Sequence, residues 1–305
     1  MRRFSVRHTT AYNYSGQVSS SQNMATLRPR PCLGQELLDY TIEINPQPKE
    51  LSERVDFFGN YITRFSLQGR HQKLVVTTRS KLIRDYAKLH AQFYEPKCQG
   101  VLLGDARDQL KSFNPQLTEA KQFMLESIFI RKTGASFREY AARSFQENRS
   151  VFDASYELMQ RIYTDFDFVP GFTNVSTPIQ EVMTEKKGVC QDFAQVGIAC
   201  VRSMGIPARY VSGYIETVPP EGQEKLIGAD ASHAWFSVFI PGYGWVDFDP
   251  TNNQIPGDQH LVVGWGRDYY DVPPLKGVVY GSGKSKLKVS VDISQLADEA
   301  PKSFQ

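Results

Sequence analysis

The sequence predicts an α+β protein, in which an amino-terminal antiparallel β-sandwich precedes a core built from one helix packed on an antiparallel sheet. Three observations carry this prediction. Residues 1 to about 80 alternate apolar and polar positions between Gly, Pro and Asn turns, as in Asp39-Tyr40-Thr41-Ile42-Glu43-Ile44 and Lys73-Leu74-Val75-Val76-Thr77-Thr78. The run that opens on Cys190 switches to helical spacing. Two β-rich runs then flank Pro241-Gly242-Tyr243-Gly244, a turn suited to a hairpin.

Taken in order, the sandwich occupies residues 1–80. Residues 81–150 form a mixed, partly helical connection, with helical stretches around Leu117 to Ile128 and Ser136 to Phe145. Residues 151–255 form the core: a helix near Val151 to Tyr163, the loop Val169-Pro170-Gly171-Phe172-Thr173-Asn174, the Cys190 helix and a run of strands. Residues 256–305 are a carboxy-terminal β extension, with the alternating strand Leu287-Lys288-Val289-Ser290-Val291-Asp292-Ile293 and a polar tail. There is no internal repeat and no low-complexity tract.

Composition narrows the function classes. A chain of 305 residues has room for two domains, and 41% hydrophobic with 22% charged residues is ordinary for a globular protein. A formal net charge of +2 gives no reason to expect nucleic acid or an anionic membrane as partner. Met1-Arg2-Arg3-Phe4-Ser5-Val6-Arg7-His8 has no apolar stretch of a signal peptide behind its basic residues, and no run approaches the ~20 apolar residues of a membrane span. A cytoplasmic location is expected. The four cysteines, Cys32, Cys98, Cys190 and Cys200, show no CxxC pair and no Cys/His ligand spacing, so no zinc site, other metal, cofactor or disulfide framework is expected. Cys200 reads as core packing, and Cys32 and Cys98 as incidental thiols.

Cys190 stands apart. Phe193, Ala194, Gly197, Cys200, Val201 and Met204 share a helix face, Asp192, Gln195 and Arg202 fall on the other, and Gly205 and Pro207 stop the helix. A thiol in the first turn meets unpaired backbone N–H groups and the positive end of the helix dipole, which favour its thiolate. By spacing alone a buried structural cysteine competes on equal terms. His233 lies in the β-rich run Ala231 to Phe239, where a lone histidine is more often structural than catalytic. The hairpin returns a second strand, Trp245-Val246-Asp247-Phe248-Asp249, beside it, so a carboxylate there can accept the imidazole N–H and fix its tautomer. Asp247 and Asp249 project to the same face, and spacing does not choose between them.

These residues resemble a known family. Gly188-Val189-Cys190-Gln191-Asp192-Phe193-Ala194, Gly205-Ile206-Pro207-Ala208-Arg209-Tyr210-Val211-Ser212-Gly213-Tyr214, His233-Ala234-Trp235 and Gly244-Trp245 with Asp249-Pro250-Thr251 are similar to the motifs of the bacterial transglutaminase-like superfamily, thiol enzymes with papain-like chemistry. The resemblance extends to the amino-terminal domain of that bacterial subgroup, through His8 to Tyr14, Leu27-Arg28-Pro29-Arg30 and Asp56-Phe57-Phe58-Gly59-Asn60. It also covers the tail motif Gly266-Arg267-Asp268-Tyr269-Tyr270-Asp271-Val272-Pro273-Pro274. It implies a papain/transglutaminase-like core, with Cys190 as nucleophile, His233 as base and Asp249 as third member. The stretch Asp249 to Asn253 lacks the acidic alternation of a calcium loop, so metal dependence does not carry over from the animal enzymes.

The implied chemistry is thioester formation from a peptide, isopeptide or Gln side-chain amide of a peptide or protein substrate, resolved by water as in a protease or amidase. Cross-linking acyl transfer to an amine, or a non-catalytic peptide-binding module on the same fold, are the alternatives. The Cys190 N–H is one expected oxyanion donor. Asn174 is a candidate second donor, Trp235 and Asp268 are candidate substrate contacts, and Tyr269 and His260 are candidates for the cleft surroundings. Arg209, Tyr214, His8, His71 and His90 read as structural. None of these features encodes the oligomeric state.

Overall fold

The computed structural model describes residues 1–93, 100–131, 134–217 and 230–296. Cys98 and the polar tail from residue 297 lie outside them. Four strands come first: β1 (Arg2–Ala25), β2 (Gln35–Asn45), β3 (Glu50–Val55) and β4 (Tyr61–Arg84). Helices α1 (Tyr86–Phe93), α2 (Leu103–Lys111), α3 (Pro115–Lys121), α4 (Ala135–Ala142) and α5 (Val151–Asp165) follow, then the two-residue strand β5 (Asp167–Phe168). Next come α6 (Ile179–Glu185), β6 (Lys187–Gly188) and α7 (Cys190–Ser203). The chain closes with β7 (Ala208–Ile215), β8 (Ala231–Ile240), β9 (Gly244–Phe248), β10 (His260–Gly266), β11 (Leu275–Gly281) and β12 (Ser285–Leu296).

The amino-terminal β region is one six-stranded antiparallel sheet that folds over itself. Its two long strands β1 and β4 pair along both halves, and the register breaks between Asn13 and Val18. Beyond that break Phe65 and Leu67 share an apolar cluster with Leu74 and Val76 of the same strand, together with Ala25 and Leu27. One strand thus supplies both layers of the packing. β11 and β12 pair with successive halves of β1, so the carboxy-terminal extension completes the amino-terminal sheet. Alternation marks such a strand but carries no information about a partner more than 250 residues away.

The core holds a second antiparallel sheet, in the order β10-β7-β8-β9. The predicted hairpin is β8–β9, with Phe236 opposite Phe248 and Phe239 opposite Trp245. Helix α7 lies against β8 at Gly197, where an added Cβ would come within 2.6 Å of the Phe236 ring, so a larger side chain would force helix and strand apart. α7 is covered on both faces, and Asp192 and Gln195, on its polar face, are buried as well. The reason is positional: α4, α5, α6 and the sheet enclose it, and several of its polar groups bond to nearby backbone. Arg202, for example, donates to the carbonyls of Ala208 and Arg267.

The predicted helix from Leu117 to Ile128 is shorter and starts earlier. Asn114 caps α3 by accepting the Gln116 N–H, Pro115 takes the first position, and a 3₁₀ turn over Gln122–Met124 ends it. The two sheets meet through one apolar cluster, in which Phe4, Val6, Leu82, Val291 and Ile293 pack on Tyr214, Leu261 and Val263. Burial of such side chains is worth about 1.5–3 kcal/mol each. That contact fixes one wall of the cleft described next.

Candidate active site

Cys190 is the first residue of α7 and is half-buried. The parallel pairing of β5 with β6 sets Phe168 beside Gly188 and brings the loop after residue 168 next to the helix start. Asp192, three residues after the cap Val189, accepts the Val189 N–H at 2.8 Å and the Thr173 hydroxyl at 2.6 Å. One carboxylate therefore ties the loop to the first turn and fixes where the thiol points. The Cys190 amide, at the first helical position, has no acceptor within the helix.

The thiol faces a cleft of about 630 Å³ whose walls come from both sheets: Tyr12 from β1, Lys276 from β11, Val289 from β12, and Tyr210 from β7, with Tyr269 and Tyr270 beyond. His8 lines it too, but both its ring nitrogens are already bonded, to Tyr214 and Thr10, and burial pushes its pKa down to about 4.

On β8, the His233 ring shares the cleft with Cys190 and reaches Asp249, its Nε2 lying 2.8 Å from Asp249 Oδ2. Burial opposes an imidazolium here, but the bond to Asp249 and the neighbouring Cys190 outweigh it and raise the His233 pKa to about 10. Asp249 has no exposed surface. Burying a carboxylate costs several kcal/mol unless donors replace its water. Oδ2 accepts from His233, from His260 Nε2 at 3.0 Å and from Asn252 Nδ2 at 2.7 Å; Oδ1 accepts the Thr251 and Asn252 N–H groups at 3.0 and 3.3 Å. Bonds to a charged acceptor are worth roughly 1.5–3 kcal/mol each, so the set is large enough to offset burial. Burial would raise the Asp249 pKa, yet the histidine bonds hold it well below the usual carboxylate range.

The geometry thus separates the two aspartates that spacing left equal. Asp249 meets His233, whereas Asp247 Oδ2 accepts the Trp235 Nε1–H at 3.0 Å, two residues further back along the strand. Trp235, a candidate substrate contact, is wholly buried and packs against His233 and His260. Asn174 is exposed outside the cleft, its Oδ1 accepting from the Ser176 N–H and hydroxyl; Val175 lines the cleft instead. Asp268 is also wholly buried: it accepts the Phe129 and Tyr270 N–H groups and caps a 3₁₀ turn, which leaves its neighbours Tyr269 and Tyr270 to face the cleft. In each case a polar side chain that spacing offered to a substrate is used by nearby backbone or by another side chain.

Asn252 is a partner the sequence reading does not name, and His260, a candidate for the cleft surroundings, bonds Asp249 itself. Asn252 was findable, because a turn after Asp-Pro-Thr returns an i+3 amide to the carboxylate. His260 arrives from a different strand, and no local pattern announces it. One ligand atom from each of His233, Asp249 and His260 lies within 4.8 Å of the others, so this trio is where a metal ion has donors. A cation there would have to displace the imidazole protons that now bind the carboxylate.

Comparison with known proteins agrees with this architecture. The family model for the bacterial transglutaminase-like N-terminal region matches residues 4–82, and that for the transglutaminase-like superfamily matches residues 138–250. An uncharacterized protein of Mycobacterium tuberculosis is 39% identical over 306 residues, covering 98% of this chain and 94% of that one. An uncharacterized protein of Mycobacterium leprae is 30% identical over 302 residues, covering 97% and 100%. Among solved structures, a Cytophaga hutchinsonii protein provisionally named a cysteine protease superposes with a TM-score of 0.75 at 20% identity, covering 100% of this chain and 94% of that one, which establishes a shared fold. No helix among the described residues is long and apolar enough to cross a membrane. With family matches on both regions and relatives aligned from end to end, the chain belongs to the transglutaminase-like superfamily, in the bacterial form that carries its own amino-terminal region.

Proposed function

We propose that the protein is a cytoplasmic thiol amidase or protease, in which Cys190, His233 and Asp249 form and hydrolyse a thioester. The observation that carries the reading is the His233 ring, bonded through Nε2 to a fully buried Asp249 and lining the same cleft as Cys190. An imidazolium held to about pH 10 supplies the positive partner that stabilises a thiolate in the ion pair of thiol enzymes.

The Cys190 sulfur attacks an amide carbonyl, the Cys190 N–H stabilises the oxyanion, and the C–N bond breaks as His233 gives its proton to the departing amine. Neutral His233 then takes a proton from water, whose oxygen displaces sulfur and yields a carboxylate. Asp249 keeps the ring oriented, and His260 and Asn252 keep Asp249 ionised and fixed. The aromatic walls of the cleft suit an acyl chain with apolar neighbours.

Acyl transfer to an amine is the second reading. A stretch of 72 residues, 23% of this chain, is 35% identical to part of a Pseudomonas aeruginosa protein-glutamine gamma-glutamyltransferase. A fluorogenic peptide-amide panel, run with and without a primary amine, decides between them. Release of free carboxylate that added amine leaves unchanged supports hydrolysis. Quantitative capture by the amine replaces it with transfer, and no turnover of any amide removes both.

A further inference from the structure

The core sheet has a second cleft, about 770 Å³, on the face turned away from α7. Arg209, Val211 and Val262 line it, whereas Tyr210 and Phe236 pack on the helix side. Arg209 is only 8% exposed. Its guanidinium carbon sits 3.8 Å from the centroid of the Trp265 ring and 4.3 Å from that of Trp245. Among the described residues it makes no hydrogen bond and no ion pair, and its Nε is buried without a partner. Asp247, which lines the same cleft, instead accepts from Trp235.

Burial without partners works against this charge and pulls its pKa down to about 9, with Asp247 opposing the fall. Two indoles hold the guanidinium plane fixed, and an arginine held flat is preorganised for a bidentate partner. Arg84 lines the same cleft as a second buried cation, with donors directed at the carbonyls of Gly257 and Leu33. Asp247 and Glu119 also line it, which limits the charge a ligand can bring. Phe239, Tyr243, Trp245 and Trp265 supply flat apolar walls.

We infer that this cleft binds a small aromatic monocarboxylate, whose two oxygens meet the Arg209 guanidinium while its ring packs along the aromatic walls. The ligand enters on the opposite side of the sheet from Cys190, so binding does not require the thiol chemistry.

Fluorine NMR titration of the full chain with 4-fluorobenzoate, and with 4-fluorobenzamide as the neutral control, tests this. The carboxylate should broaden saturably, with the amide weaker by about tenfold or more, as expected when a charge-assisted pair is lost. Arg209→Met keeps a long apolar side chain between the indoles and should erase the preference, whereas Cys190→Ala should retain it. Should Arg209→Met fail to fold, wild-type crystals soaked with 4-bromobenzoate give the same answer through the bromine anomalous signal, expected between Trp265, Tyr243 and Arg209. Equal binding of acid and amide, a preference that survives Arg209→Met, or bromine found only at Cys190 would overturn the inference and leave the thiol reading untouched.

Discussion

Asp249 and Arg209 are both charged, both buried and both within two strands of Trp235, yet their surroundings are opposite. Asp249 accepts from five donors, all supplied by the protein. Arg209 has flat aromatic faces on its guanidinium and no hydrogen bond among the described residues. A fully satisfied buried charge fixes its neighbours, here the His233 ring. An unsatisfied one facing open space keeps its donors for a visitor. The same sheet therefore carries a rigid, self-contained constellation around Asp249 and an incomplete one around Arg209.

The largest effect that would test this contrast is loss of the nucleophile. Cys190→Ala should abolish acyl-enzyme formation, read by intact mass, and leave the melting temperature within a few degrees, because Ala has the better helix propensity and little volume is lost. Unchanged turnover would end the enzyme reading.

Next come the two aspartates. Asp249→Asn should lower turnover roughly tenfold to a thousandfold, since an amide can hold the wrong tautomer and no longer supports the imidazolium. Asp247→Asn should cost much less. The pH profile sharpens the point. Amide cleavage needs protonated His233, whose raised pKa predicts an alkaline limb of kcat/KM near 10. Without the Asp249 charge the ring loses its main support, and the limb should fall toward the ordinary histidine value of about 6.5. A limb that stays put in Asp249→Asn would show that another group sets it.

A smaller change is expected at His260, which acts through Asp249. His260→Gln keeps a donor and should lower kcat by about threefold to tenfold, with KM unchanged and the alkaline limb shifted slightly downward. His260→Leu should shift that limb further. A merely structural His260 would lower stability without moving the limb. Chelation comes last: activity should survive it, since the donors of His233 and His260 are spent on Asp249. Loss of activity on chelation, restored by one added metal, would convert the trio into a metal site.

Much of this was legible in the chain because the signals are local. The α7 spacing, the Gly205 stop and the β8–β9 hairpin each lie within about twenty residues, and they are enough to bring Cys190, His233 and a carboxylate strand into one neighbourhood. The rest depends on pairing at a distance. His260 reaches Asp249 because β10 lies beside β7, and the cleft walls exist because β11 and β12 return to β1. Asn174, Trp235 and Asp268 were proposed for substrate on polarity or position. Their atoms are used by a turn, a buried indole–carboxylate bond and a cap, which residue type alone does not disclose.

The most direct measurement is the site-resolved rate of alkylation by iodoacetamide at about pH 5.5, where an unperturbed thiol is almost wholly protonated. Peptide mapping separates Cys190 from Cys32, Cys98 and Cys200. The ion-pair account predicts that Cys190 reacts at least about a hundredfold faster than the others, and that His233→Ala removes most of that advantage. Equal rates at all four cysteines, or a Cys190 rate that His233→Ala leaves unchanged, would contradict it.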